Sequence, residues 1–324
     1  MAEAYFRNYP IRTFLRDGTE LPIYSQLGQA EWIYSLLASC GITIGSVFEA
    51  GAHSPNLNSN SRIFIENGWE AYLIESDQSH AHSWSEYLST ISLGKRDKVS
   101  IINREIPYES NGLESLFLSL SIKSLDVLFF DIDGGEYQLL ESLNATQPNI
   151  VCVEADNGYP LNISYVPNHI RHLDQCSHRA MYEMMIRKGY IYLTGLAQDL
   201  IFVTPDLLHE TILKYRPDLP YGEDFFFQTA HRNFENYFRI WDNWPQNIAA
   251  GVVTVEYFST RLRRLVNNNQ HSEASIFHQE CLRVLDCLFL FMRISDRHFP
   301  LVDIAAEEIL AFKDEFKHLS RHMV

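Results

Sequence analysis

Residues 125–141, LDVLFFDIDGGEYQLLE, restrict the possible folds of this chain more than any other stretch. Strand-forming apolar residues run from Leu125 to Phe130 and stop at two acids, Asp131 and Asp133. Gly134 and Gly135 follow, and a helical pattern begins. A buried parallel strand delivers charge to the carboxyl edge of a sheet in this way, and in open α/β sheets ligands bind at that edge. Buried carboxylates are unfavourable unless something pairs with them, so acids at a strand tip mark a candidate functional site.

Further apolar runs precede and follow it. A helix is expected over Gln29–Ser39, a strand over Ser46–Ala50 (SVFEA), a helix over Ser61–Asn67 and a strand over Ala71–Glu75 (AYLIE). Strands are also expected over Val99–Ile102 and Ile150–Glu154 (IVCVE), and a helix over Arg179–Lys188. Most of these strands are continuously apolar, as strands covered on both faces are. Strands alternating with helical patterns imply a mostly parallel sheet with right-handed crossovers. Tyr190–Thr194 and Leu200–Thr204 are separated by a short loop containing Gly195, a spacing that suits a terminal hairpin and hence one antiparallel strand.

Beyond Pro205 the character changes. Residues 217–245 are rich in aromatics, among them Phe225, Phe226, Phe227, Trp241 and Trp244, which either close a pocket or fill a core. Leu282, Leu285, Leu288 and Phe289 share a helical face, and Asp303–Leu319 reads as a last amphipathic helix. The division expected is an α/β domain over 1–215 and a C-terminal α-helical extension over 216–324, which offers a surface for a homodimer.

Composition removes several function classes. A net charge of -15 opposes nucleic-acid binding, which depends on Lys and Arg meeting phosphate. The longest dense apolar run, Cys287 to Met292, falls far short of the ~20 residues of a membrane helix. Five scattered cysteines form no CxxC pair, and the N-terminus carries no apolar signal core, so a reduced, cytoplasmic setting is expected.

The first strand runs Phe48, Glu49, Ala50 into Gly51, Ala52 and His53. A glycine where the chain leaves the strand lets backbone approach a ligand closely. No G-x-G-x-x-G follows, which disfavours a pyrophosphate cradle, and an NAD-dependent oxidoreductase with it, and favours a nucleoside lacking phosphates. Glu75 lies roughly 20 residues further on at a strand end, where an acid accepts hydrogen bonds from a ribose diol. Among the histidines, His53 and His169 are candidate general bases. His169, His172 and Cys176 would share one face of a helix, a pattern zinc can use, but no matching second pair exists.

Several stretches in order resemble the FkbM-type class I S-adenosylmethionine-dependent methyltransferases. They are YSQLGQAEWIYSLLASCGI (Tyr24–Ile42), FEAGAHSPNLNSNSRIFIENGWEAYLIESD (Phe48–Asp77), LFFDIDGGEYQLLESL, VCVEADN and RAMYEMMIRKGYIYL. The resemblance spans Ser25 to Leu208. It departs from the family after Gly51-Ala52, where relatives carry Asn or Asp followed by Asp-Gly and this chain has His53, Ser54 and Pro55. It implies a Rossmann-like class I methyltransferase sheet and S-adenosylmethionine as cofactor. Glu49, Gly51 and Ala52 would then belong to the cofactor site, the latter two at its methionine end. Glu75 would hold the ribose, Ser76 and Asp77 would lie near the adenine, and Asp131 would face the transferring methyl. Some O-methyltransferases of similar fold hold a divalent ion with acids of the fourth and fifth strands. Here Asp131 and Asp133 end the fourth strand and Glu154, Asp156 and Asn157 the fifth, and Asp131, Asp133, Asp156 and Asn157 would be such ligands for Mg²⁺, all oxygen donors. The expected activity is O-methylation of a hydroxyl on a small metabolite, a sugar or secondary metabolite. The alternative is a non-catalytic binding or scaffold protein that keeps the fold with a degenerate cofactor loop.

Overall fold

The computed structural model describes residues 13, 15, 17–108, 111–168, 174–196, 198–229 and 260–281. Its centre is a seven-stranded sheet in the order β3-β2-β1-β4-β5-β7-β6. The strands are β1 (Ser46–Ala50), β2 (Glu70–Glu75), β3 (Val99–Asn103), β4 (Val127–Phe130), β5 (Ile150–Glu154), β6 (Ile191–Leu196) and β7 (Asp199–Val203). β1 to β5 are parallel, whereas β7 runs antiparallel to both β5 and β6. This is a Rossmann-like, mostly parallel sheet, with the expected hairpin as its antiparallel element.

The continuous apolar character of the strands has a direct cause in this layering. Along β1, Val47 joins the core on one face, while Phe48 and Ala50 join the core on the other. β4 repeats the alternation, with Val127 and Phe129 on the first face and Leu128 and Phe130 on the second. On the first face the core is completed by α1 (Gln29–Ser39), α2 (Arg62–Glu66) and α3 (Gln78–Thr90). On the second lie α5 (Gly112–Ser119), α6 (Glu136–Ser142) and α7 (His178–Arg187), and a short α4 (Leu93–Arg96) precedes β3. A strand buried on both sides has no polar face to show.

Among the described residues, two helix starts carry side-chain caps. Asp77 accepts from the Ser79 and His80 N–H groups at α3, at 2.7 and 3.3 Å, and Ser177 accepts from the Ala180 N–H at α7. α3 is absent from the sequence-based reading because its composition is polar, yet Ala81, Trp84 and Leu88 recur at helical spacing and are its buried face.

After β7, Pro205 opens a helical stretch that passes through a π turn at Leu208–Ile212 and ends at Tyr215. The helix over 222–229 packs back on the sheet domain. Phe226 stacks on Tyr182 at 4.0 Å, and the Thr229 hydroxyl meets the Tyr192 hydroxyl at 2.6 Å. Phe226 is therefore core and not a pocket lid. Trp241, Trp244, the Leu282–Phe289 face and the helix expected over Asp303–Leu319 lie outside the described residues. Among the described residues no helix is long and apolar enough to cross a membrane.

Candidate active site

The sheet changes its direction of winding between β1 and β4, and the loops leaving the two strands part there to form a crevice. The resulting cleft, about 770 Å³, lies along the carboxyl edge from β2 to β5 and is large enough for a cofactor with a small partner. Its lining includes the carboxylates Glu75, Asp77, Glu105, Asp131, Asp133 and Glu154. The lining has one arginine, Arg104, and two histidines, His53 and His80, among the described residues. Carboxylates thus outnumber cationic groups in the lining, and the cleft favours a cationic guest.

At the β2 end, Glu75 is 7% exposed. Its carboxylate accepts the N–H of His53 and the N–H of Asp77, each at 2.7 Å. Each oxygen has a second lone pair, so a vicinal diol entering the cleft can still be accepted. Ser76 and Asp77 are exposed beside it. Asp77 is held below the usual carboxylate range chiefly by the Ser79 hydroxyl that it caps.

Gly51 has φ +75°, and a Cβ there would lie 1.8 Å from the Asp131 carbonyl oxygen. Only a glycine lets the first loop pass this close to the β4 tip. The N–H groups of Gly51 and Ala52 both donate to the Ile74 carbonyl at 3.0 Å. Ala52 is fully buried in the core, and its carbonyl accepts from the Trp84 indole, so it does not line the cleft as expected. Glu49 does not line it either. It is fully buried and accepts from the Asn60 and Ser61 N–H groups and the Ser61 hydroxyl, tying the loop before α2 to the sheet. Burial pushes its carboxyl up to about 7.

His53 adopts a left-handed φ of 40°, and its ring lies 3.9 Å from that of His80. Both rings line the cleft. His169 and His172 lie outside the described residues. Cys176 is buried, which raises its thiol well above the ordinary value. It sits in an irregular segment and not on a helix.

At the β4–β5 end, one oxygen from each of Asp131, Asp133 and Glu154 falls within 4.8 Å of the others. Asp131 and Glu154 are hydrogen-bonded to each other. Burial raises both; the Glu154 hydrogen bond offsets part of the rise at Asp131, whereas the Asp131 charge adds to the rise at Glu154. Glu154 also accepts amide N–H groups from Gln175 and Gln198. Glu136 is tied to the turn beneath by the Ile132 and Gly134 N–H groups, and burial pushes it up to about 7. Asp199 faces Glu154 across the β5–β7 register. Burial, and then the Asp131 charge, raise it well above its ordinary value.

The fifth-strand ligands expected from the sequence need correcting. Asp156 is 8% exposed and bound by the Arg261 guanidinium, at 2.7 Å from Nη2 to Oδ1 and 3.0 Å from Nε to Oδ2. Burial alone would raise its carboxyl, but the Arg261 charge outweighs that and leaves it below the ordinary range. Asn157 is buried beside it, outside the cleft lining. The acid that β5 brings to the cleft is Glu154. Its strand-end position in IVCVE was the available signal, whereas nothing local announced Gln175, Gln198 or the partner of Asp156, which is 105 residues away.

No family model matches the chain, and no curated protein matches it. Solved structures that overlap it include the methyltransferase domain of bacterial CtHen1-C, at 13% identity, covering 54% of this chain and 96% of that one with a TM-score of 0.35. The glycopeptide N-methyltransferase MtfA complexed with S-adenosyl-L-homocysteine overlaps at 14% identity, 55% and 90% coverage and a TM-score of 0.34. The METTL16 methyltransferase domain overlaps at 10% identity, 59% and 72% coverage and a TM-score of 0.35. At such identities and scores the overlap carries nothing about activity.

Proposed function

We propose that the chain is an FkbM-type, S-adenosylmethionine-dependent O-methyltransferase that acts on a hydroxyl of a small metabolite, a sugar or secondary metabolite, in the cytoplasm. The observation that carries this reading is one cleft at the switch point of the sheet, with Glu75 at one end, Asp131 and Glu154 at the other, and Gly51 between them. The residues fit such a cofactor in charge and size. A sulfonium and an ammonium suit a cleft lined by carboxylates, and a ribose suits a strand-end acid with lone pairs to spare.

Bound there, S-adenosylmethionine would supply an activated methyl group on a positively charged sulfur. The remaining tasks fall to the protein. Glu75 accepts the ribose hydroxyls, with Ser76 and Asp77 beside the base. Asp131 stands at the opposite end, and burial makes its carboxylate a stronger base than an exposed one, suited to taking the proton of an acceptor hydroxyl. His53 is a second candidate base within the cleft lining. Holding acceptor and donor in line accounts for much of the rate in a displacement of this kind. Asp131, Asp133 and Glu154 form a set of oxygen donors suited to Mg²⁺, which would polarise the acceptor hydroxyl.

A specific observation favours a second reading, a binding protein on the same fold. The first loop has spent its donors: Gly51 and Ala52 on Ile74, and His53 on Glu75. Calorimetric titration with S-adenosylmethionine, with and without Mg²⁺, separates the two. The enzyme reading expects saturable binding that Glu75→Ala weakens by about tenfold or more, the loss of charge-assisted hydrogen bonds. Absence of binding at millimolar cofactor would favour the scaffold.

A further inference from the structure

We infer that the C-terminal helical segment braces the cleft from behind its lining, with Arg261 and Arg264 as positioning residues that hold Gln175 against Glu154. This goes beyond the cofactor reading, and rests on it only in assigning the cationic end of a ligand to Glu154.

Glu154 is the most buried acid of its end of the cleft, and each of its oxygens receives one glutamine amide. The two glutamines are supported differently. Gln198 sits in the tight hairpin between β6 and β7, and its carbonyl accepts the Ala155 N–H at 3.0 Å, so the sheet itself fixes it. Gln175 sits in an irregular segment just before α7, with no strand or helix of its own. Its position depends on ties from outside.

The helix over 260–267 and the turn that follows it supply those ties at three places. Arg261 grips Asp156, two residues beyond Glu154, through both carboxylate oxygens. The Asp156 N–H in turn donates to the Cys176 carbonyl at 2.8 Å, joining the start of the connection to the residue after Gln175. Arg264 reaches Asp174, the residue before Gln175, at 3.2 Å, and Asp156 at 3.8 Å. Asn268 and Gln270 donate side-chain amides to the carbonyls of Val166 and Ser164, each at 2.9 Å. The main chain is shaped for the grip. A Cβ on Gly158 would lie 2.5 Å from the Arg261 guanidinium, and the Tyr159 ring lies beneath the same group at 5.8 Å. Arg264 thus holds the residue before Gln175 directly, and Arg261 reaches the residue after it through Asp156. Two neutral amides fix Glu154, and through its hydrogen bond to Asp131 the face that the pair presents to a cation; loss of one amide lets that face turn.

Two experiments on the full chain test this. The first compares the affinities for S-adenosylmethionine, a cation at sulfur, and S-adenosylhomocysteine, neutral there. The wild type should prefer the cation. Gln175→Ala and Arg264→Gln should each shrink that preference by about tenfold, the worth of one hydrogen bond. Arg264→Lys should restore part of it, and the double variant should be no worse than either single one, because both act through one contact. Equal weakening of the two ligands, or additive losses, would mean that the arginines only stabilise the fold and would overturn the proposal. The second experiment needs no ligand: hydrogen exchange in Arg261→Met should rise in 156–168 and 174–177 while β1 to β4 stay protected. Unchanged exchange in those segments overturns the clasp. A wild type that binds neither ligand would instead sink the cofactor reading and the charge preference with it, leaving the clasp to be judged by exchange alone.

Discussion

Gly51 and Glu49 sit two residues apart, and both carry the fold more directly than they carry a ligand. Gly51 is forced by the Asp131 carbonyl, which a methyl group would overlap, and by a φ of +75°. Gly51→Ala should therefore destabilise the protein by on the order of 1–3 kcal/mol and separate the first loop from the β4 tip. Chemical denaturation measures this, and an unchanged midpoint would show that the loop yields easily. Glu49 lies behind the cleft, where its oxygens satisfy the Asn60 and Ser61 N–H groups. Buried donors left without an acceptor cost about 1–3 kcal/mol each. Glu49→Ala should accordingly lower the unfolding midpoint, while Glu75→Ala acts mainly on ligand affinity. The two acids look alike in sequence, each near the end of a parallel strand. They differ because alternation turns Glu49 towards the α2 loop, whereas Glu75 is the last residue of its strand and opens on the crevice.

At the level of strands and helices, the carboxyl edge gathers acids whose protonation is coupled to folding. Glu49 and Glu136 are each raised by burial from an ordinary value of 4.5 to about 7. A carboxyl with a higher pKa folded than unfolded binds an extra proton in the native state. Its contribution is whole below 4.5 and is lost as the pH rises through about 7. Each group can supply up to about 3 kcal/mol over that window. Asp156 has the opposite sign: its depressed pKa adds stability that is lost as the pH falls below the usual carboxylate range. Melting temperature should therefore peak at mildly acidic pH and decline towards neutral and alkaline pH. Glu49→Gln, still an acceptor for Asn60 and Ser61, should flatten the decline. A melting temperature that rises from pH 5 to pH 8 would contradict this. These same edges explain what the sequence disclosed. Strands whose faces are both buried read as apolar blocks, so β1, β2, β4, β5 and the hairpin could be found, and the acids at their ends with them. α3 stayed hidden because its outer face is polar and its buried one is only Ala81, Trp84 and Leu88. Glu154 outweighed Asp156 for a reason no local pattern holds, namely an arginine far along the chain.

That arginine shows how the whole molecule settles the charge of the cleft. Asp156 leaves β5 pointing into protein, and without a partner it would be an unpaired buried carboxylate. Arg261 supplies the partner across a sequence gap of 105 residues, so the sheet and the C-terminal segment are joined by a buried ion pair. Such a pair adds little over a well-packed neutral pair, but half of it is costly, at about 3–5 kcal/mol. Arg261→Met should therefore be among the most destabilising single changes in the chain. Adding Asp156→Asn to it should recover most of the loss, because the stranded charge goes with its partner. Urea denaturation of the wild type, both single variants and the double one gives the cycle directly. A double variant as unstable as the sum of the singles would mean that the two groups act independently. The Phe226 stack on Tyr182 and the Thr229–Tyr192 hydrogen bond would then have to hold the segment to the sheet without help from charge.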